Sequence, residues 1–315
     1  MIPAVITQRL ELEKPELTIL KALAYFNIFN YPLTKQEVRN FSGNYIGEER
    51  FEAALHKMVF EKIIFRINEF YSLQNDPFIV EKRIKGNDRA KKLLSKAINI
   101  GAFLYRFPFV RAVGISGSLS KNYADEKADI DFFIITKSNR LWISRTILHL
   151  FKKLTFLVGR QHFFCMNYFI DEKTLQIPQQ NIYSATEIVT LLPAAGTEAI
   201  NDFFKTNDWT DDWLPNASKW KLKISDKDSV FKRSVERIFA DLVGDRFDDF
   251  LFQWTTKRWQ KKSRLGRKNL KGKRMNLVTD KHFSKSDPEA FQAKVVAHYK
   301  NKMDEFKDRW PQYFA

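Results

Sequence analysis

RAVGISGSLSKNYADEKADIDFFIIT, residues 111–136, decides the fold. It reads as an apolar strand, a Gly-Ser turn, a short helix, a loop, and a second apolar strand opened by two aspartates. Gly117 lets the backbone turn tightly and approach a phosphate with no Cβ in the way. Ser118 offers a hydroxyl, and amides at a helix start donate to phosphate oxygens. Asp129 and Asp131 stand two apart, so both side chains leave one face of the strand, roughly 7 Å apart. Carboxylates that close on one apolar face repel unless a cation sits between them. A hard divalent ion, Mg²⁺ or Mn²⁺, with substrate phosphates completing its shell, resolves that repulsion.

An apolar strand, Gly followed by Gly or Ser, about a dozen residues, then Asp-apolar-Asp: this stretch resembles the signature of the DNA polymerase β-like nucleotidyltransferase superfamily. The matching positions are Gly117, Ser118, Asp129, Ile130, Asp131 and Phe132. The resemblance implies that Asp129 and Asp131 hold catalytic metal and that the Gly-Ser turn holds a triphosphate. It also implies a third carboxylate on a later strand. The candidate strand is HFFCMNYFI, expected over residues 162–170, with Phe163, Cys165, Asn167 and Phe169 on one face. Its central polar group is Asn167, which can ligate Mg²⁺ but adds no charge and cannot serve as a base. Asp171 follows in phase, about 13 Å further along. Lys121 lies four residues after Gly117, within reach of a phosphate. Glu187, in the apolar run YSATEIVTLLP, reads as a helix-cap or salt-bridge residue.

Toward the N-terminus, ELTILKALAYF carries Leu17, Leu20, Leu23 and Ala24 on one helical stripe. Thr34-Lys35-Gln36-Glu37 has capping-box spacing. A third helix is expected from about Gly47 to Lys62, with Phe51, Leu55, Met58 and Val59 inward, and a hairpin follows about Asn68-Glu69. Three helices and a hairpin resemble a winged helix-turn-helix, expected over residues 1–80. Its third helix opens with Glu48, Glu49 and Glu52, which repel a phosphate backbone, so packing or protein contact is expected rather than DNA reading.

A charged helix is expected over 83–111 and another over 139–159, within a nucleotidyltransferase core spanning 81–182. Residues 183–315 read as mostly helical. Within them, residues 256–285 carry twelve cations, Lys257 to Lys285, against Asp280 alone, and Gly266 and Gly272 suggest a loop or frayed helix. Asp287-Pro288 is expected to cap the last helix. The fold class expected is therefore α+β: a mixed sheet with helices, a winged-helix-like N-terminal region and a helical C-terminal region.

Fifty-three Lys and Arg against 37 acids leave a formal charge of +16, which favours anionic partners. The partners expected are an NTP, nucleic acid through 256–285, and a protein. The one cysteine, Cys165, excludes an intramolecular disulfide and sits among apolar residues as an inert thiol. The five histidines show no paired metal spacing. The N-terminus lacks a signal peptide's pattern, and LWISRTILHLFKKLTFLV is interrupted by charge, so no membrane span and a cytoplasmic location are expected. The function expected is Mg²⁺-dependent transfer of NMP from an NTP to an acceptor hydroxyl. The alternative is a catalytically weak or inactive nucleotide-binding module that binds nucleic acid or a protein.

Overall fold

A computed structural model describes residues 14–157, 159–218, 228–268 and 272–314. The N-terminal leader reading falls almost wholly on residues outside these, as does Lys271 of the basic segment. The chain is mixed α+β with two sheets.

Pro15 at the first helical position starts α1 (Pro15–Asn27). Leu17, Leu20, Leu23 and Ala24 are buried as expected, but so are Ile19, Ala22, Tyr25 and Phe26, so this helix is enclosed on more than one face. After β1 (Leu33–Thr34), α2 (Lys35–Asn40) begins with the expected capping box: Thr34 Oγ1 accepts from Glu37 N–H, and Glu37 Oε2 accepts from Thr34 N–H at 2.8 Å. α3 (Glu48–Phe60) buries Phe51, Leu55 and Met58, while Val59 is only half-buried. β2 (Phe65–Ile67) and β3 (Phe70–Ser72) turn about Asn68, whose φ is +55°, and form a three-stranded antiparallel sheet ordered β1-β3-β2.

The charged helix expected over 83–111 runs instead over Pro77–Tyr105, as α4, capped by Asp76 with Pro77 next. The Asp-Pro start extends it upstream, and the chain turns at Arg106–Phe109 before β4 (Val110–Ser116). Gly101 lets α4 lie against the sheet, since a Cβ there would sit 2.4 Å from Ala194 Cβ. Next come α5 (Gly117–Ser120), β5 (Asp131–Thr136) and α6 (Leu141–Phe156).

The strand expected over 162–170 is Cys165–Asp171, β6; residues 161–163 form a 3₁₀ turn, so Phe163 is not on it. α7 (Ile182–Val189) leads to β7 (Leu192–Ala195) and α8 (Thr197–Thr206). α9 (Val230–Ile238) and α10 (Leu242–Arg264) precede β8 (Leu277–Thr279) and β9 (Phe283–Ser286). The last helix, α11 (Phe291–Arg309), starts later than Asp287: Pro288–Ala290 make a 3₁₀ turn first, with Glu289 and Ala290 at positive φ.

The main sheet is ordered β7-β4-β5-β6-β9-β8, with β5 and β6 parallel and the remaining pairs antiparallel. The reading of 183 onward as mostly helical misses β7, β8 and β9, which are three or four residues long and too short for a period to show. One face of the sheet, with Phe133, Ile135 and Ile170, packs against α1, α3, α7 and α11 in a single core. The other, with Val113, Ile115, Phe132, Ile134 and Phe169, packs under α4, α6 and α10. No helix of the described residues is long and apolar enough to cross a membrane.

Candidate active site

The antiparallel pairing sets Ser116 opposite Asp131, which brings the Gly117 turn against the start of β5. Gly117 has φ +70°, a conformation that costs L side chains energy. A Cβ there would also lie 2.6 Å from Asp131 Oδ2. Both constraints demand glycine. Ser118 is exposed beside the turn. β5 starts only at Asp131, so Asp129 lies on the loop before it and the expected pairing of both aspartates along one strand face is not met. Both are half-buried, and Ile130 between them is fully buried.

β6 starts opposite Asp131, since Asp131 pairs with Cys165 and Phe132 with Met166. The ladder then skips Asn167, and Phe133 pairs with Tyr168. Such a bulge re-aims a side chain. Asn167 Nδ2 donates to Asp131 Oδ1 at 2.5 Å, and Asn167 Oδ1 accepts from Cys165 Sγ at 3.3 Å. The amide's orientation follows from its partner, because an ionised carboxylate can only accept. Asn167 therefore meets Asp131 as a donor, not as a metal-facing oxygen. Cys165 is half-buried and also receives Lys152 Nζ at 3.7 Å, so it is linked to the site rather than isolated among apolar residues.

Asp171 does not supply a third acid. It lies at the far end of β6, opposite Thr136, about 17 Å from the Asp131 end of β5. Its fully buried carboxylate accepts from Asn139 N–H and Lys173 N–H and meets His282 Nδ1 at 2.8 Å.

Lys121 is half-buried, and its Nζ donates to Gly117 O at 3.1 Å and to Glu187 Oε1 at 2.7 Å. The salt-bridge reading of Glu187 is thus met, with the cation that was singled out for phosphate. The backbone carbonyl of Lys121 accepts from Tyr31 Oη at 2.6 Å, which ties the N-terminal unit to this turn.

Sequence reasoning missed Tyr183 and Lys285. Tyr183 is half-buried; desolvation first, then the charges of Glu187, Tyr25, Asp287 and Asp131, pushes its phenol well above the usual range. Lys285 on β9 pairs with Tyr168, and its Nζ lies 5.5 Å and 5.7 Å from the Tyr168 and Tyr183 ring centres. That Nζ also donates to Gln292 Oε1. Burial lowers its pKa, while Asp287 and Glu187 pull it back up. The alternation of Phe283 and Ser284 in a four-residue strand was the only signal for it, and the surrounding basic run masked that signal. Lys285 is therefore not a free cation of segment 256–285, and neither is Lys281, which pairs with Asp249 at 2.7 Å.

Among the described residues no group of three or more His, Cys, Asp or Glu side chains is gathered to hold a metal. The carboxylates of Asp129 and Asp131 are the donors at the turn of the kind a hard divalent ion takes, and two carboxylates alone would leave most of its shell to phosphate oxygens or water. A cavity of about 340 Å³ lies elsewhere, lined by Tyr25, Phe26, Phe41, Thr186, Trp213 and Tyr299 among others. Set against known protein families, curated proteins and solved structures, the chain matches none of them.

Proposed function

We propose that the chain is a nucleotidyltransferase of the polymerase β-like type, transferring NMP from an NTP to an acceptor hydroxyl. The observation that carries this is the close fit of Gly117 against Asp131: a glycine required twice over, by φ and by the carboxylate, with an exposed serine beside it. That fit sets the turn directly beside the Asp131 carboxylate, so a phosphate held by the turn would adjoin a metal held by the aspartates. Asp129 and Asp131 would hold Mg²⁺ or Mn²⁺, which supplies neutralisation of charge on the phosphates. Ser118 and the turn amides would orient the triphosphate. Lys121 would reach it by leaving Glu187.

In the transfer, the acceptor oxygen forms a bond to the α-phosphorus, the bond to the bridging β-oxygen breaks, and pyrophosphate leaves. The acceptor proton goes to solvent, because position 167 carries an amide that cannot take it. The N-terminal unit supports a winged-helix reading, with its third helix turned to protein contact rather than DNA. Glu52 pairs with Lys35 at 2.5 Å, and Glu48 with Lys35 at 3.6 Å and with Arg39. Nucleic acid is the partner we assign to the basic segment.

The Asn167–Asp131 hydrogen bond favours a second reading, a nucleotide-binding module with weak or no turnover. Pyrophosphate release with each NTP and either metal, in wild type and Asp131→Asn, separates the two. Release lost in the variant supports the enzyme. Metal-dependent NTP binding with no release in any condition supports the module.

A further inference from the structure

β5 runs away from the candidate site, starting at Asp131, and β6, parallel to it, starts at Cys165 beside Asp131. The crossover helix α6 must therefore run back, so that its C-terminal end lies at the site end of the sheet. α10 packs along α6 in the same direction. Asp248 near its start accepts from Ile143 N–H at 2.8 Å, and Lys262 near its end senses the charge of Lys153. The basic end of α10 thus comes to the same end of the sheet as Asp131. Lys152 connects the two, reaching Cys165 Sγ, which in turn meets Asn167.

This end of the helix pair is a concentration of uncompensated charge. Lys257, Arg258, Lys261, Lys262, Arg264 and Arg267 make no ion pair with a carboxylate among the described residues, and all but the half-buried Lys262 are exposed. Burial and the neighbouring Arg258, Arg267 and Lys153 lower the pKa of Lys262, the mark of cations crowded without a counter-charge. Exposed aromatics precede them on the same helix. Trp254 is 49% exposed with Arg258 Cζ 5.3 Å from its ring, and Phe250 is 60% exposed one turn earlier.

We propose that the C-terminal ends of α6 and α10 dock the backbone of a single-stranded nucleic acid, and that this strand is the acceptor whose hydroxyl reaches Asp131. The acceptor part rests on the transferase reading; the docking part does not. The cations match a chain of phosphates, and Trp254 and Phe250 offer faces on which unpaired bases stack, as paired bases in a duplex cannot. An anionic membrane would also meet the charge and the exposed Leu150, Leu154 and Leu157, and is the outcome that the vesicle arm of the test would reveal.

The test is fluorescence anisotropy of a short labelled poly(U), without NTP or metal, between about 50 and 200 mM salt. Wild type should bind with an affinity that falls steeply with salt, at a log–log slope of about −0.7 per phosphate neutralised. Lys153→Gln/Lys262→Gln/Arg267→Gln should make that slope shallower by about 2. Trp254→Ala should weaken binding about tenfold at unchanged slope. Far-ultraviolet circular dichroism and melting must match wild type in both variants, so that a change in binding is not a change in folding. Absence of binding at low salt, an unchanged slope in the triple variant, or capture by phosphatidylserine vesicles but not by poly(U) would overturn the docking site. Docking that persists while no NTP yields pyrophosphate would overturn the acceptor assignment and the transferase reading, and leave the docking surface standing.

Discussion

Asn167 stands out of the β5–β6 ladder and donates its side-chain amide to Asp131 across 2.5 Å. The bond to an ionised carboxylate stabilises the apo site by roughly 1.5–3 kcal/mol. It also occupies one oxygen of a candidate metal ligand. Asn167→Asp replaces this bond with two facing carboxylates. Without metal the variant should lose about 1–3 kcal/mol of stability above pH 6 and regain it at low pH, where one carboxyl of the pair is protonated. Mg²⁺ should restore it at neutral pH and raise any turnover. Melting curves at pH 5 and pH 8, with and without Mg²⁺, check this; identical curves for both proteins would mean the two side chains do not meet.

Gly117→Ala should be destabilising by about 1–3 kcal/mol, from the φ of +70° and from the clash with Asp131 Oδ2. Any Mg²⁺–NTP affinity should fall with it, because relief of the clash moves the carboxylate. Urea unfolding paired with calorimetry reads both effects. Stability within a few tenths of a kcal/mol of wild type would show that the turn tolerates a Cβ.

Lys121 is shared between Gly117 O and Glu187, so a triphosphate must compete with Glu187 for it. Glu187→Gln should tighten Mg²⁺–NTP binding several-fold, and Lys121→Met should weaken it about tenfold, a loss of roughly 1.4 kcal/mol. If both substitutions leave affinity unchanged, the pair is structural only.

Much of this centre was legible in the sequence because it is local. The turn, the two aspartates and Lys121 lie within residues 117–131, and glycine and paired carboxylates announce their requirements directly. Asn167 was reachable by strand period, but its contact with Asp131 depends on a bulge, which shifts phase by one residue and leaves no compositional trace. Glu187, Tyr183 and Lys285 come from α7 and β9, elements joined to the site only by tertiary packing. The outer strands were hidden for the same reason: three or four residues are too few to establish alternation against a basic or helical background.

The pH response of the scaffold has a separate origin in Asp248. Its side chain is fully buried, and burial pushes its carboxyl up to about 7, against the pull of the Ile143 and Trp142 amides and Arg140. A folded pKa above the unfolded one means the folded state binds more protons, so the contribution is complete below about pH 4 and is lost as pH rises through 7. Wild type should be about 2 kcal/mol less stable at pH 8 than at pH 5.5 from this group, and Asp248→Asn should remove most of that difference. Equal pH slopes in the two proteins would place the charge change elsewhere.

The measurement that bears most directly on the proposed nucleotide site is calorimetric titration of Mg²⁺–NTP into wild type and Asp129→Asn/Asp131→Asn. Wild type should bind at least one of the four NTPs only when Mg²⁺ or Mn²⁺ is present, and the double variant, folded by circular dichroism, should bind none. Equal affinity in the two proteins, or binding indifferent to the metal, would contradict a nucleotide site at Asp129 and Asp131.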